Sequence, residues 1–355
     1  MKKVGIMTMH RVVNYGSFLQ AYGLKKIIEG LGNSVEFVDF NIEKSLVEKE
    51  KKLLLKKIKN NLNFVTFYNK KKCLEKFKKE YIDNYLPMLG VGDKNYNPVL
   101  DTLVIGSDEV FNCMQPLPVG YSRELFGKNY EKINVISYAG SFGHTTIKQL
   151  REKKIDKEIG DMFNKFKTIS VRDENSKKIV ESLSNKEAII HFDPVLITNF
   201  DNVITNKVQM NNYIIVYAYT GRLSKFEEKY IKKFAKKYNK KIVSLGFYQK
   251  IADYNLVVEP FEMLEYFKKS DYVITDTFHG TIFSIKMHAK FCTIIRDSNK
   301  NKLYYLLNET KQLCRQVNNF DDIERLYKKD MNFSETDKKI NEERKCSIEY
   351  LKKNI

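Results

Sequence analysis

The chain has 355 residues, 43% of them hydrophobic, which is enough for sizeable cores and long enough to favour two domains over one. Its net charge of +18, from 62 basic and 44 acidic residues, would attract anions, but the excess is almost all lysine beside many asparagines and isoleucines, so it carries little functional weight. The lack of any run of about 18 apolar residues argues against a membrane-spanning helix, and the scattered Cys73, Cys113, Cys292, Cys314 and Cys346, never in a C-x-x-C pair, argue against a disulfide framework or a zinc site.

The N-terminal apolar run is too short for a signal peptide and lacks a small-residue cleavage site, so the expected location is cytoplasmic. A strand over 4–8, a helix over 17–31 with Phe18, Ala21, Leu24, Ile28 and Leu31 three or four apart, and a strand over 35–40 make a βαβ unit, the seed of a parallel sheet. Residues 44–85 are lysine-rich with two helical patterns, read as an insertion of two basic amphipathic helices. These either pack on the domain with solvated lysine faces or offer a face to a membrane surface or a docked acceptor. Strands follow over 102–106, 134–139, 168–172 and 188–192, with a helix over 176–183 and a turn at Asp193-Pro194.

The polar, aperiodic stretch 198–212 marks the domain boundary. Beyond it strands over 213–219, 241–245, 271–275 and 291–295 alternate with helices over 224–238, 261–269 and 280–288. The expected architecture is α/β: two Rossmann-like, doubly wound domains facing a cleft in a GT-B-like arrangement, with a C-terminal helical tail. The divisions are 1–205, 206–310 and 311–355, the tail packing back on the N-terminal domain. In such sheets ligands bind at the carboxyl ends of strands.

Four strand-end segments could carry chemistry there. In 10–20, Ser17 and Gln20 fit a capping box after a turn through Asn14 and Gly16. The helix start is either an ordinary strand–helix turn or a site for an anion or sugar hydroxyl. Without G-x-G-x-x-G it is no dinucleotide fingerprint. Asp108 and Glu109, after Gly106-Ser107, either bind hydroxyls or act as a base, or else cap a helix. Arg172 offers a guanidinium shaped for carboxylate or phosphate, or a salt bridge to Asp173 or Glu174. The strongest is Thr275-Asp276-Thr277-Phe278-His279-Gly280-Thr281. There a strand ends on a histidine able to give or take a proton near neutral pH, beside a glycine that permits close approach. His288 reads as a helix C-terminal residue, and His10, His144 and His191 share no metal-ligand spacing.

Taken in order, these segments resemble the polysaccharide pyruvyl transferase family over roughly residues 4–300. The shared residues are Asn14-Tyr15-Gly16-Ser17 with Gln20, Gly106-Ser107-Asp108, Tyr138-Ala139-Gly140-Ser141, Ser170-Val171-Arg172-Asp173 with Ser176, Asp193-Pro194-Val195-Leu196, and Phe278-His279-Gly280. The resemblance implies a bacterial enzyme of exopolysaccharide and cell-envelope biosynthesis. It would move pyruvate from phosphoenolpyruvate to a sugar of a polysaccharide intermediate as a ketal, without cofactor or metal. Protonation of the enol carbon would give an oxocarbenium-like centre, which requires an acid/base and cations around the donor. By resemblance His279 takes the catalytic position and Arg172 that of the donor cation. Thr277, Gly280 and Thr281 then join Arg172 at the donor, and Asn14, Tyr15, Gly16, Gln20, Asp108 and Glu109 face the acceptor.

The implied partners are phosphoenolpyruvate and a glycan or lipid-linked oligosaccharide, with peripheral contact at the inner membrane face and no nucleic acid. One position departs from the family: members with demonstrated pyruvyl transfer carry arginine two residues before the histidine, where this chain has Thr277. A hydroxyl cannot replace a bidentate guanidinium. Lys286, Arg296 or the amides of the following helix are the available substitutes. The alternative is a GT-B-like glycosyltransferase using another donor, and a third reading is a non-catalytic protein whose basic surface grips anions.

Overall fold

The structure, a computed structural model, describes residues 1–43, 45–47 and 64–355. Strands β1 (Lys3–Met7), β2 (Ser34–Phe37), β3 (Thr102–Ile105) and β4 (Asn134–Ser137) form a parallel sheet in the order β2-β1-β3-β4. Strands β5 (Ile169–Val171) and β6 (Ala188–Ile190) pair in parallel and continue it, because single bridges tie Ile136 to Thr168 and Gly140 to Val171. The second sheet holds β7 (Tyr213–Tyr217), β8 (Lys241–Leu245), β9 (Tyr254–Leu256), β10 (Tyr272–Thr275), β11 (Phe291–Ile294) and β12 (Gln316–Val317). It is parallel throughout, in the order β12-β11-β10-β7-β8-β9.

Both sheets are parallel for the same reason. Their central strands, such as Thr102-Leu103-Val104-Ile105 and Tyr213-Ile214-Ile215-Val216-Tyr217, are apolar on both faces and buried along their whole length. Such strands need helices above and below them. The strand order reverses between β1 and β3 in the first sheet and between β7 and β10 in the second. Connections leave those points in opposite directions and open a crevice at the strands' carboxyl ends. The expected doubly wound α/β architecture is therefore present, and its two crevices face one another.

The two halves share packing. One buried cluster runs from Val4 and Ile6 through Tyr15 and Phe18 to Tyr213 and Ile215. The Tyr15 hydroxyl donates to the Val258 carbonyl (2.7 Å) and accepts from the Val258 N–H (3.0 Å), and the Phe18 ring meets that of Phe261 edge-on at 6.0 Å. After β12 and helix Asp321–Lys328, helix Ser334–Asn354 returns to the first sheet. There the Tyr350 hydroxyl donates to the Ser137 carbonyl at 2.9 Å.

The first helix begins earlier than the capping-box expectation. It spans Tyr15–Gly30, and its cap is Asn14, whose Oδ1 accepts from the Gly16 N–H at 2.7 Å. Ser17 and Gln20 are not cap residues because their side chains are engaged elsewhere: Ser17 donates to Asp108, and the Gln20 amide bridges Thr8 and Ser107. Of the two helices expected in 44–85, the first lies outside the described residues. The second is Phe64–Glu80, which runs on through a wider turn at Tyr81–Tyr85. Phe77 and Tyr81 anchor it, while Phe67, Tyr68 and Leu74 stay exposed among lysines. Among the described residues no helix is long and apolar enough to cross a membrane.

Candidate active site

His279 lies in the first turn of helix Phe278–Lys286, directly after β10. Thr277 is the N-cap: its backbone is extended and its Oγ1 accepts from the Gly280 N–H at 2.9 Å. With the hydroxyl committed to the cap, the turn is fixed and the His279 ring is set on the inner side, 8% exposed. The backbone of helix Tyr15–Gly30 supports the ring from the other sheet's side. Gly16 sits so close that a Cβ there would overlap the imidazole.

Arg172 directly follows β5, and Asp193 precedes helix Pro194–Ile197, where its Oδ1 caps the Val195 N–H at 3.0 Å. Its Oδ2 accepts from the Arg172 guanidinium at 2.8 Å and stands 3.5 Å from His279 Nε2. Burial alone would raise the Asp193 pKa, but His279, Arg172 and the Val195 amide together hold it below the ordinary carboxylate value. Burial would likewise lower the Arg172 pKa, yet the carboxylates of Asp193, Asp108 and Glu109 raise it, so it is a permanent cation. Its guanidinium lies over the Phe278 ring, 4.3 Å from the centroid, and its Nε has no hydrogen-bond partner among the described residues.

Opposite stand Asp108 and Glu109, on the loop after β3. Asp108 Oδ1 is 3.7 Å from Arg172, and its Oδ2 accepts from the Ser17 hydroxyl at 3.1 Å. Glu109 accepts from Lys302, on helix Lys300–Glu309, and from Asn112 at 2.7 Å. Burial would raise the Glu109 pKa, but Lys302 and then Arg172 bring it down to about 2. These groups enclose a cavity of about 140 Å³ whose walls include Asn14, Asp108, Glu109, Arg172, Tyr219, His279 and Lys302. Asn14 and Asp108 follow β1 and β3, while Tyr219 and His279 follow β7 and β10. Both crevices thus open into one space.

Of the residues singled out from sequence, the structure brings Asn14, Asp108, Glu109, Arg172 and His279 to the cavity, with Gly16 behind the histidine. Five others do not line it. Tyr15 is buried between the halves against Val258 and Phe77. Gln20 is buried in the Thr8–Ser107 network. Thr281 bonds Thr293 at 3.0 Å beneath the helix. Gly280 packs against Thr275 and Tyr217, where any Cβ would collide. Thr277 is spent on its cap.

The two side chains offered as substitutes for the missing arginine, Lys286 and Arg296, also point elsewhere. Lys286 donates to the Leu196 carbonyl at 2.9 Å, with burial and Arg344 lowering its pKa to about 8. Arg296 is held by Glu227 (2.5 Å) and Asp276 (3.1 Å). The second cation of the cavity is Lys302, which sequence reading missed. No motif surrounds it, and its only signal is a helical phase that turns it away from its exposed neighbours Lys300 and Asn301. Among the described residues no three His, Cys, Asp or Glu side chains are grouped to hold a metal, and all five cysteines are free.

Comparison with known proteins adds three findings. A family model described as polysaccharide pyruvyl transferase matches residues 14–298. No curated protein matches the chain. Similar solved structures include the UDP-GlcNAc 2-epimerase from Neisseria meningitidis bound to UDP-GlcNAc, at 11% identity and TM-score 0.48, covering 100% of both chains. They also include the S. aureus MnaA–UDP structure, at 12% identity and TM-score 0.48, covering 92% of this chain and 90% of that one. A mutant of the Thermobaculum terrenum O-GlcNAc transferase matches at 8% identity and TM-score 0.43, covering 99% of this chain but 64% of that one.

Proposed function

The chain belongs to the polysaccharide pyruvyl transferase family, and on that premise we propose that its cavity moves the pyruvate of phosphoenolpyruvate onto two hydroxyls of one sugar in a cell-surface polysaccharide intermediate. Family membership makes it a transferase that modifies a glycan. The observation that carries the finer reading is the meeting of Arg172 and His279 on one carboxylate, Asp193. A cation for an anionic donor and a proton-transfer group stand together there, in the wall of a small cavity.

In this reading His279 protonates the methylene carbon of the enol, and charge develops at the adjoining carbon, which becomes oxocarbenium-like. A sugar hydroxyl adds to that carbon, the bond to the phosphate oxygen breaks, and a second hydroxyl closes the ketal. Two hydroxyl protons are released: one ends in the new methyl group and one on inorganic phosphate. Asp193 orients the imidazole. Arg172, in the cavity wall, supplies the permanent cation for the donor. Lys302 takes the part for which Thr277 is unsuited. An arriving phosphate draws it from Glu109, and the freed carboxylate accepts the acceptor's hydroxyl proton.

Incubation with phosphoenolpyruvate and the glycan fractions of the source cell should release inorganic phosphate, and His279→Ala should abolish release without loss of fold. Absence of release with every fraction, together with no thermal stabilisation by phosphoenolpyruvate, overturns the reading.

Thr277 favours one competing reading, a glycosyltransferase using another donor. Nucleotide sugars that raise the melting temperature where phosphoenolpyruvate does not would select it. Peripheral contact with an anionic membrane belongs to the main reading and is supported by Phe67, Tyr68 and Leu74, exposed among the lysines of helix Phe64–Glu80.

A further inference from the structure

Beside the catalytic cavity lies a larger groove, of about 500 Å³, between helices Glu174–Leu183 and Lys300–Glu309. Asn301, Tyr304, Tyr305 and Asn308 recur at helical spacing and so share one face of the second helix. Asn175 and Lys178 face them from the first. Tyr304 is 51% exposed, a large ring left open to solvent. The Tyr305 hydroxyl is pushed up in pKa by burial, then by Glu309 and Glu174, and so stays a neutral donor.

One of the helices that wall the groove reaches the cavity, and the other begins next to it. Lys302, on the same helix as Tyr304, pairs with Glu109 inside the cavity. The facing helix starts two residues after Arg172, with Asp173 as its cap. The groove thus lies next to the Arg172 and Lys302 side of the cavity.

We propose that this groove is a subsite for the run of sugar residues that extends from the acceptor sugar, an inference that rests on the glycan-acceptor half of the proposed function. The chemistry of the walls selects this occupant. Three carboxamides and two phenols supply neutral donors and acceptors of the kind that pair with hydroxyls. The open face of Tyr304 suits the apolar side of a sugar ring. The charges are few and sit on exposed side chains: Lys178 and Lys300 against Glu174. No guanidinium among the described residues lines the groove to grip a phosphate bidentately.

The chain contains no tryptophan, so Tyr304→Trp keeps an aromatic platform and supplies the sole indole reporter. Its emission should respond saturably to size-fractionated oligosaccharides from a partial hydrolysate of the source cell's surface polysaccharides. Tetramers should bind at least about tenfold more tightly than monomers, a gain of roughly 1.4 kcal/mol. A parallel variant, Phe226→Trp, places the indole on an exposed face away from the groove and should not respond. Equal weak responses to monomers and tetramers, or a response to UDP or inorganic phosphate in place of the oligomers, overturn the proposal. Because no donor is present, the result stands apart from the phosphate-release assay. Turnover without an oligomer response sinks the subsite alone, and an oligomer response without turnover sinks the donor assignment alone. In active protein, Tyr304→Ala should raise KM about tenfold for long acceptors while leaving kcat unchanged.

Discussion

Gly16 lies against the imidazole of His279 with no room for a methyl group between them. The contact joins the first turn of a helix from one sheet to the catalytic candidate of the other, so the histidine is positioned by both halves. Gly16→Ala improves helix propensity at that position but forces the ring to move. The expected cost is about 1–3 kcal/mol of overpacking, with turnover down at least tenfold. Thermal unfolding and kcat, measured together, check it; wild-type turnover would show that the imidazole has slack.

Glu109 is held at about 2 against an ordinary 4.5. A carboxylate with a depressed native pKa stabilises the fold above its unfolded pKa, and that stability is lost as pH falls toward the native value. The window here is about pH 4.5 to 2, and the shift corresponds to roughly 3 kcal/mol as an order of magnitude. Glu109→Gln should be less stable at pH 7 and should lose less additional stability on acidification across this window. Urea unfolding at pH 7 and pH 3 measures both. Parallel acid profiles for the two proteins would remove the Lys302 pair from the account.

Lys302→Met removes the cavity's second cation, whose ammonium lies 5.7 Å from the Phe278 ring centroid, but keeps an unbranched side chain. The KM for phosphoenolpyruvate should rise about tenfold or more, with Lys302→Arg recovering most of the loss. An unchanged donor KM would mean that Lys302 only neutralises Glu109.

Thr277→Val deletes the cap hydroxyl that accepts from Gly280 and should cost about 1 kcal/mol, whereas Thr277→Ser should be nearly neutral. Thr277→Arg should show the same loss of stability together with a larger thermal stabilisation by phosphoenolpyruvate than the parent protein. A smaller stabilisation would count against that donor.

Phe67→Ser with Leu74→Ser removes exposed apolar side chains from a helix whose anchors, Phe77 and Tyr81, are untouched. Sedimentation with vesicles containing anionic lipid should fall several-fold, with the melting temperature unchanged. Equal sedimentation would leave the lysines as solvated surface.

The sheet-forming half of the fold was legible because buried parallel strands are written as short, uniformly apolar runs. Thr102–Ile105 and Tyr213–Tyr217 need no partner information to be seen. Strands β9 and β12 were not, since Tyr254–Leu256 and Gln316–Val317 are short edge strands without such a run. At the site, residues at strand ends were found because chain order and topology coincide there. Arg172, Asp108 and His279 each follow a strand and reach the cavity. Gln20 and Thr281 were misplaced for a local reason: their polar side chains satisfy buried partners, and nothing in the sequence shows which way a helical residue faces across a domain boundary. Lys302 needed the tertiary structure, because its partner Glu109 is far away in the chain.

The return of helix Ser334–Asn354 to the first sheet means that the polypeptide passes between the halves twice. A pair of lobes joined by one strap can swing open about it; a pair strapped at two places, and glued by rings such as Phe18 and Phe261, is closer to a clasp fastened at both ends. Any opening of the cleft must then bend both crossings together and part those rings.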